Sequence, residues 1–161
     1  MSRIDAAGRD LASVLALVAR TRERGGTVVF TNGVFDLIHP GHVRYLQSAR
    51  RLGDVLVVGV NSDRSVRAIK GPSRPVNPEH ERVEILRALG CVDAAVVFDE
   101  DTPLALIGQV QPDVLVKGAD WAADDIVGRD VVEARGGRVV RMPIEAGFST
   151  THLIDRASAR S

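Results

Sequence analysis

Two histidines three residues apart, His39 and His42, are the residues in this sequence best suited to binding phosphate. Side chains with this spacing face the same way on one helical turn, so both imidazoles can donate an N–H to oxygens of a single phosphate. Pro40 fits the first turn of a helix through its fixed φ, and Gly41 leaves room for a ligand to approach the backbone. The tetrapeptide therefore favours contact with a phosphate group.

Metal ligation is the alternative role for these histidines. A zinc site would need a third ligand, and neither His80 nor His152 has a spacing that identifies one. The single cysteine, Cys91, can form neither an internal disulfide nor a multi-cysteine metal site, and we expect it to be a small buried side chain. The sequence thus predicts no metal site in the protein and a reducing, cytoplasmic location.

Two polar segments lie where helices are predicted to begin. Residues 31–42 run from the end of an apolar, β-branched stretch into a helical pattern, where backbone N–H groups and the helix dipole attract anions. A second helix start is predicted near the C-terminus, where the hydroxyl of Ser149 or Thr150 fits an N-cap. There it and the neighbouring N–H groups can hold the β- and γ-phosphates of a nucleotide.

Five short apolar runs predict β-strands, and segments with helical periodicity alternate with them. The predicted strands are residues 27–30, 55–60, 94–98, 114–116 and 139–142. The predicted helices are residues 9–22, 43–52, 78–89, 103–110 and 123–134. Right-handed crossovers between such elements give an α/β fold, a doubly wound five-stranded parallel sheet that binds ligands outside the carboxyl ends of its strands.

The chain has the size and composition of one globular domain. Its 161 residues are 45% hydrophobic and 26% charged, so we predict a single domain over residues 1–161, with an N-terminal helix in 1–26 and a core in 27–157. Basic and acidic residues both number 21, so the chain has no net charge that would attract nucleic acid or an anionic membrane. The proline-rich stretch 70–78 is predicted to be a mobile flap near the site.

The segments around the histidines resemble a known family. Residues 39–42 match the His-x-Gly-His signature of the cytidylyltransferase-like nucleotidyltransferase superfamily, and residues 31–36 are similar to its lead-in. Residues 147–154 resemble the Ser/Thr-rich helix start near the C-terminus of that family. Class I aminoacyl-tRNA synthetases share a related signature, but this sequence lacks their Lys-Met-Ser-Lys-Ser-like loop. The resemblance implies a Rossmann-like nucleotidyltransferase fold.

Further stretches are similar to the adenylyltransferase domain of the enzymes that make ADP-heptose. They are residues 60–63, 70–78, 99–103 and 115–120. The resemblance implies that the protein joins ATP and D-glycero-D-manno-heptose 1-phosphate to give ADP-heptose and pyrophosphate. A glycerol-3-phosphate-type cytidylyltransferase is the alternative, although that family has an Arg-Thr-Glu-Gly run where residues 143–147 read Pro-Ile-Glu-Ala-Gly. A non-catalytic nucleotide-binding regulator with the same fold is a further alternative.

The same resemblance implies roles for individual residues. The implied catalytic residues are His39, His42 and Arg44. The implied nucleotide-binding residues are Thr31, Asn32, Gly33, Phe35, Gly41, Lys117, Gly147, Ser149, Thr150 and Thr151. The implied substrate-binding residues are Asp36, Lys70, Arg74, Arg82 and Asp120.

Several positions keep a simpler alternative. Lys117 follows the fourth predicted strand, where it can contact a phosphate or be an ordinary surface lysine. Asp36 can order the first loop, and Arg82 can lie on a solvated helix face. Trp121, the only tryptophan, can stack on a base or sugar or be partly buried.

Transfer to a phosphate monoester needs no general base, because the acceptor is already largely dianionic at neutral pH, with a second pKa of about 6. The task is to align two anions and to stabilise charge on the α-phosphoryl oxygens and the leaving pyrophosphate. His39, His42, Arg44 and a Mg²⁺ ion bound with the nucleotide suit it. The implied partners are ATP and a sugar phosphate, a separate heptose kinase, and a second copy of the chain, since dimers are common among similar proteins.

Overall fold

The structure, a computed structural model, describes residues 6–160, and the surroundings of side chains from residue 11 onward. The strands are β1 (Val28–Gly33), β2 (Val55–Asn61), β3 (Ala94–Phe98), β4 (Val114–Gly118) and β5 (Arg138–Met142). The α-helices are α1 (Ala6–Glu23), α2 (Pro40–Arg50), α3 (Asp63–Lys70), α4 (Glu79–Ala88), α5 (Leu104–Val110), α6 (Arg129–Ala134) and α7 (Thr150–Ser158). The first residues of the predicted single domain, 1–5, lie outside the described part.

The five strands form one parallel sheet in the order β3-β2-β1-β4-β5, which confirms the predicted fold class. From β1 the chain first builds outward through β2 and β3 and then returns to add β4 and β5 on the other side. The order therefore reverses between β1 and β4. In open parallel sheets ligands bind at the carboxyl ends of the strands at such a reversal.

Side chains of β1 alternate between two apolar cores, one on each face of the sheet. Val28 and Phe30 pack in the core that α1, α5 and α6 cover. Val29 packs in the core that α2 and α4 cover, beside Leu46 and Leu86. Phe30, Leu46 and Leu86 have no exposed surface, and burial of each contributes about 1.5–3 kcal/mol. This two-sided burial explains why the strands read as continuous apolar runs.

Three aspartates fix the amino-terminal edge of the sheet. Each stands next to the start of a strand and accepts a hydrogen bond from the backbone N–H of a residue close to the start of a neighbouring strand. The pairs are Asp54 with Thr27 at 2.7 Å, Asp93 with Leu56 at 2.8 Å and Asp113 with Val28 at 2.8 Å. Because these bonds hold the amino-terminal edge together, the loops that can bind a ligand are those at the carboxyl edge.

The helix predicted over residues 123–134 is wrong as one element. The structure has a 3-10 turn at Ala123–Asp125 and then the separate helix α6. Gly128 between them adopts a φ of 89°, and a Cβ there would lie 2.6 Å from Ile107 Cδ1, so the chain turns where a continuous helix would have to run. 

The sequence prediction also missed α3. Only Ser65 and Val66 of this helix are buried, so it lacks an apolar stripe. The signal that remained was its N-cap, Ser62, whose hydroxyl accepts a hydrogen bond from Ser65 N at 3.1 Å.

The N-terminal helix α1 agrees with the predicted helix and ends before Gly25, which has a φ of 72°. Its buried residues Val14 and Val18 pack on the sheet. Within residues 6–160, none of the helices has the length and apolar character that crossing a membrane requires.

Candidate active site

A cavity of about 600 Å³ opens outside the carboxyl ends of β1 and β4, where the strand order reverses. Its walls come from the end of β1, the first turns of α2, the segment between α3 and α4, the end of β4 and residues 142–151. The volume falls within the range of about 300–1,000 Å³ that is usual for small-molecule sites. The cavity thus lies at the position that the predicted topology assigns to a ligand.

His39 and His42 cap the start of α2 by bonding to each other's backbone. His39 is the N-cap, and its Nδ1 accepts a hydrogen bond from His42 N at 3.3 Å. His42 Nδ1 accepts the reverse bond from His39 N at 3.4 Å. The rings stack with centroids 3.7 Å apart and planes at 20°. Because a neutral imidazole that accepts at Nδ1 carries its proton on Nε2, this arrangement leaves His39 Nε2–H for a ligand.

The surroundings of both imidazoles favour the uncharged form. Burial, together with the neighbouring His39, lowers the pKa of His42 to about 4, against an opposing contribution from the Leu37 carbonyl. Burial also lowers the pKa of His39. At neutral pH the pair therefore offers hydrogen-bond donors, and positive charge must come from other residues.

The approach to α2 is held in an uncommon backbone conformation. Phe35 has a φ of 48°, in the left-handed region, and its ring lies edge-on to His42 with centroids 5.4 Å apart. A Cβ at Gly33 would lie 2.9 Å from this ring, so only glycine fits beneath it. Gly33 and Phe35 thus fix the position of His42 in the cavity wall.

The start of α7 packs directly over the start of α2. Ser149 is the N-cap of α7 and accepts a hydrogen bond from His152 N at 2.9 Å. The Thr150 hydroxyl donates to the Leu37 carbonyl at 3.3 Å. The two helix starts therefore face one cavity, although their N-caps, His39 and Ser149, are 110 residues apart in sequence.

Gly41 is required by this packing of the two helix starts. A Cβ on Gly41 would lie 2.9 Å from Phe148 Cβ and 3.0 Å from the His39 ring. The Phe148 ring stacks on His39 with centroids 6.0 Å apart. In this structure the close neighbour of Gly41 is therefore a side chain of the protein, whereas the sequence interpretation gave that space to a ligand.

Arg44 projects from the first turns of α2 toward the same residues. Its guanidinium bonds to Glu145 at 2.6 Å and lies over the Phe148 ring, 5.4 Å from the centroid. Both charged side chains are about half exposed, at 56% and 45%. A triphosphate at the helix starts would compete with Glu145 for this guanidinium.

Lys117 lies at the end of β4 and lines the cavity rather than the outer surface. Burial lowers its pKa, and nearby Asp120 opposes that shift. Its Nζ lies 5.2 Å from the centroid of the Trp121 ring, which is 48% exposed and also lines the cavity. The three side chains form one wall in which a cation, a carboxylate and an indole are all accessible to a ligand.

The proline-rich segment is anchored to the first loop by Asp36. The Asp36 side chain is fully buried and accepts hydrogen bonds from Arg74 Nε at 2.7 Å, Val76 N at 3.0 Å and Asn77 N at 2.9 Å. Burial acts to raise the pKa of Asp36, but the bonds from Asn77, Val76 and Arg74 hold it below its usual value. The second half of the predicted flap is therefore tied down, and Asp36 orders the loop as the alternative interpretation stated.

Arg82 belongs to the same network and not to the cavity wall. It is fully buried, and its guanidinium donates to the Asn77 carbonyl at 2.9 Å, to the Val34 carbonyl at 2.7 Å and to Asp63 at 2.9 Å. Neither of the two interpretations of Arg82, a contact with substrate or a solvated helix face, describes this position. Arg82 fixes the backbone of the segments that carry Asp36 and Arg74.

Tyr45 is a cavity residue that sequence reasoning missed. Its hydroxyl bonds to Thr31 Oγ1 at 2.8 Å, and Thr31 donates in turn to the Val116 carbonyl at 2.9 Å. Burial raises the pKa of Tyr45 to about 12. The available signal was its spacing, since Tyr45 stands three residues after His42 on α2.

Most of the predicted site residues line the cavity together. They are Asn32, Gly33, Phe35, Asp36, His39, Gly41, His42, Arg44, Lys70, Arg74, Lys117, Asp120, Ser149, Thr150 and Thr151. Thr31, Arg82 and Gly147 are outside this set. Thr31 is fully buried beneath Tyr45, and Gly147 adopts a φ of 89° just before Phe148. The further lining residues that the sequence did not indicate include Tyr45, Ser48, Ile144, Glu145 and Phe148.

Two sequence expectations concern single side chains. Cys91 is half-buried beside Leu89 and Val92 and packs against the core under α2 and α4. Within the described part of the chain, His, Cys, Asp and Glu side chains form no group of three or more that could hold a metal ion.

Comparison with known sequences identifies related proteins. The sequence model of the family described as cytidylyltransferase-like matches residues 30–156. A protein named bifunctional protein HldE from Syntrophotalea carbinolica is 61% identical over 135 residues, which cover 84% of this chain and 28% of that protein. The protein of the same name from Citrifermentans bemidjiense is 57% identical over 139 residues, 86% of this chain and 28% of that protein. The chain thus spans less than a third of the length of these relatives.

Comparison with solved structures identifies proteins of the same fold. The lipopolysaccharide core biosynthesis protein from Thermoplasma volcanium has 31% identity and a TM-score of 0.62, with 75% of this chain and 98% of that chain covered. A protein of unknown function from Archaeoglobus fulgidus, at 23% identity and a TM-score of 0.55, covers 76% of this chain and shares the fold.

Proposed function

Because the chain belongs to the cytidylyltransferase-like family, we propose that it is a nucleotidyltransferase that joins ATP to D-glycero-D-manno-heptose 1-phosphate, giving ADP-heptose and pyrophosphate. One observation carries the proposal: the starts of α2 and α7 pack against each other beside one cavity. Two helix N-termini at one point give two sets of N–H donors for a polyphosphate. A single sugar phosphate would need only one of them.

In the proposed reaction an oxygen of the acceptor phosphate attacks the α-phosphorus of ATP. The bond from the α-phosphorus to the bridging oxygen breaks, and pyrophosphate leaves with that electron pair. At the start of α2 the Nε2–H groups of His39 and His42 hold the α-phosphate, with His42 exchanging the Leu37 carbonyl for a phosphate oxygen, while the Ser149 helix start holds the β- and γ-phosphates. The low pKa of His42, about 4, suits a neutral donor to the developing charge and not a general acid at neutral pH.

Cations around the cavity supply the charge that the neutral histidines lack. Arg44 stands beside the two helix starts, and Lys117 stands at the end of β4. Lys70 lines the cavity from the end of α3, and Arg74 lines it from the segment between α3 and α4. We assign the first two to the nucleotide and the second two to the acceptor phosphate.

A Mg²⁺ ion is proposed to arrive with the triphosphate and to neutralise its charge. The cavity fits such an ion, because Mg²⁺ in nucleotide sites is bound chiefly by phosphate oxygens and water, with one or two carboxylates. Asp120 and Glu145 are the lining carboxylates placed to contribute, since Asp36 is already engaged by the loop.

The sugar acceptor and the base rest on similarity to relatives. The related protein from Thermoplasma volcanium is named for lipopolysaccharide core biosynthesis, which supports a sugar phosphate as acceptor. The heptose and ATP rest on the segments similar to ADP-heptose-forming adenylyltransferases, residues 60–63, 70–78, 99–103 and 115–120. A sugar kinase that phosphorylates the anomeric oxygen would have to supply the acceptor.

We also propose that the protein is a homodimer, and light scattering would test this.

A pyrophosphate-release assay tests the function. ATP, CTP and GTP are each offered with heptose 1-phosphate and with glycerol 3-phosphate. We expect release above background with ATP and heptose 1-phosphate. Faster release with CTP and glycerol 3-phosphate would identify a cytidylyltransferase instead, and no release with any pair, while ATP still binds, would identify a nucleotide-binding regulator.

A further inference from the structure

Asn32 carries an unsatisfied acceptor in the cavity. Its Oδ1 is buried and has no hydrogen-bond partner, and it is the only buried side-chain nitrogen or oxygen in the described residues of which this is true. An unpaired buried amide oxygen is unfavourable, because it has given up its hydrogen bonds to water without a replacement. Since Asn32 also lines the cavity, a ligand can supply the missing donor.

The missing partner must be an O–H or N–H group. Phosphate oxygens of a triphosphate or of a phosphate dianion accept hydrogen bonds and do not donate them. Among the groups of the two proposed substrates, a hydroxyl of a sugar or the amino group of a base can therefore pair with Asn32. A neutral carboxamide suits a neutral donor, because it neither attracts nor repels the charged groups around it.

The place of Asn32 in the sheet separates it from the start of α2. A Cβ built on Gly59 of β2 would have Phe30, Leu106 and Asn32 as its nearest neighbours, so the Asn32 side chain lies on the α5 side of the sheet. The next residue back, Thr31, bonds to Tyr45 of α2 on the opposite side. The unpaired Asn32 Oδ1 is thus on the opposite side of β1 from the two histidines.

The wall of the cavity at the ends of β4 and β5 has the character of a base site. Trp121 and Ile144, which are 48% and 56% exposed, line the cavity there. Exposed flat and apolar side chains favour stacking on a nucleobase. When the base of the nucleotide lies at this wall and its phosphates lie at the two helix starts, Asn32 is available to contact the other substrate.

We propose that Asn32 Oδ1 accepts a hydrogen bond from a hydroxyl group of the phosphorylated acceptor, and that this contact selects polyhydroxylated acceptors over those that lack the hydroxyl. The inference rests on the proposed nucleotidyl transfer and names a determinant of its acceptor specificity. A site built around a ligand hydroxyl rejects the analogue without it, because the protein group is then left unpaired.

The test combines substitutions at Asn32 with deletion of single hydroxyls from the acceptor. The acceptor is whichever of heptose 1-phosphate and glycerol 3-phosphate the wild-type protein uses faster, with its monodeoxy analogues. We expect one analogue to lower kcat/KM of the wild type about 10- to 100-fold. Asn32→Leu should lower kcat/KM for the parent acceptor by a similar factor. Its kcat/KM for that analogue should equal its kcat/KM for the parent acceptor, and its KM for ATP should equal that of the wild type.

Two further variants separate the contact from a fold defect. Asn32→Asp keeps an acceptor oxygen at the same position, so it should still discriminate against the same analogue even if its overall rate falls. Gln47→Leu removes an exposed amide from α2 outside the cavity and should behave as wild type. Thermal unfolding of each variant shows that the comparison is made on folded protein.

The outcomes for the inference and for the function are distinct. Equal kcat/KM of Asn32→Leu and wild type for the parent acceptor, or a raised KM for ATP alone, would overturn the inference while transfer itself stands. If the wild type releases pyrophosphate with neither acceptor, the proposed function fails. Calorimetric binding of heptose 1-phosphate then decides the inference, which requires wild type to bind it about 10- to 100-fold more tightly than Asn32→Leu.

Discussion

At the scale of single residues, the site combines uncharged hydrogen-bond donors with separate cations. His39 and His42 are neutral because burial lowers the pKa of each, whereas Arg44 and Lys117 supply positive charge from other turns of the chain. Neutral donors held by their own backbone bonds need little reorganisation when charge develops on a phosphate. This division of roles leads to two predictions about His42.

Replacing His42 by alanine should remove turnover and keep the fold. Loss of one donor to the α-phosphate lowers kcat about 100- to 1,000-fold. Loss of its side chain from the cap of α2 destabilises the protein by about 1 kcal/mol, or about 2–4 °C in Tm. Pyrophosphate release and thermal unfolding measure the two effects. His80→Ala changes an exposed histidine on α4 and should leave both unchanged, and a His42→Ala protein with wild-type kcat would contradict the assignment.

The low pKa of His42 also predicts a pH dependence of stability. Its pKa is 6.5 in the unfolded chain and about 4 in the folded protein, so the unfolded state binds more protons between these values. The free energy of unfolding should therefore fall as pH drops from about 6.5 toward 4, by at most about 1.4 kcal/mol per pH unit from this group, and be unaffected by it above that range. His39 acts in the same direction.

Urea unfolding at several pH values between about 7 and 5 measures this dependence. His42→Gln should reduce the slope, because glutamine does not titrate. Gln47→Leu, which changes an exposed residue of α2 that carries no titratable group, should keep the wild-type slope. Identical slopes for wild type and His42→Gln would show that His42 is not held neutral by the fold.

At the scale of elements, the site depends on contacts between segments that have no regular structure of their own. The segment between α3 and α4 is held by Asp36 from the first loop and by Arg82 from α4. Arg82 also bonds the carbonyl of Val34, so one buried guanidinium fixes both loops. The position of Arg74 in the cavity wall follows from this network.

Arg82→Met should therefore destabilise the protein strongly. The substitution leaves two carbonyls and Asp63 without their buried partner, which costs about 3–5 kcal/mol and lowers Tm by about 6–20 °C. We also expect a higher KM for the acceptor, because Arg74 loses its fixed position. Arg67→Met, which removes an exposed arginine from α3, is the matched control for thermal unfolding and kinetics. Equal Tm values for the two variants would refute the role of Arg82.

At the scale of the whole molecule, the cavity joins both halves of the sheet. Its walls come from β1 and α2 on one side of the strand-order reversal and from β4, β5 and the start of α7 on the other. A ligand that spans the cavity stabilises all of these elements together, since it binds only when they are in place.

ATP with Mg²⁺ should consequently raise Tm. At a concentration of about 100 times its Kd, a ligand adds about 2.7 kcal/mol, which corresponds to about 5–10 °C for a protein of this size. Adenosine at the same concentration lacks the groups that the two helix starts hold and should give a much smaller shift. Differential scanning fluorimetry measures both. The absence of a shift with ATP, CTP and GTP alike would exclude the cavity as a nucleotide site.

The sequence by itself determined the fold class, the sheet elements and the two helix starts that are predicted to bind phosphate. Strands buried on both faces leave continuous apolar runs, and helix starts leave Pro, Gly and hydroxyl residues, so both are local in the chain. The sequence did not resolve α3, which lacks an apolar stripe, or the break at Gly128, which depends on contact with Ile107.

Only the tertiary structure decided which residues line the cavity. Arg82 lies in a buried network and Thr31 beneath Tyr45, while Glu145 and Phe148 line the cavity although no sequence pattern marked either side chain as a site residue. The orphan oxygen of Asn32 likewise follows from what surrounds it and not from its neighbours in sequence. Burial and hydrogen-bond partners are set by segments far apart in the chain, and a linear sequence does not state which of these segments meet.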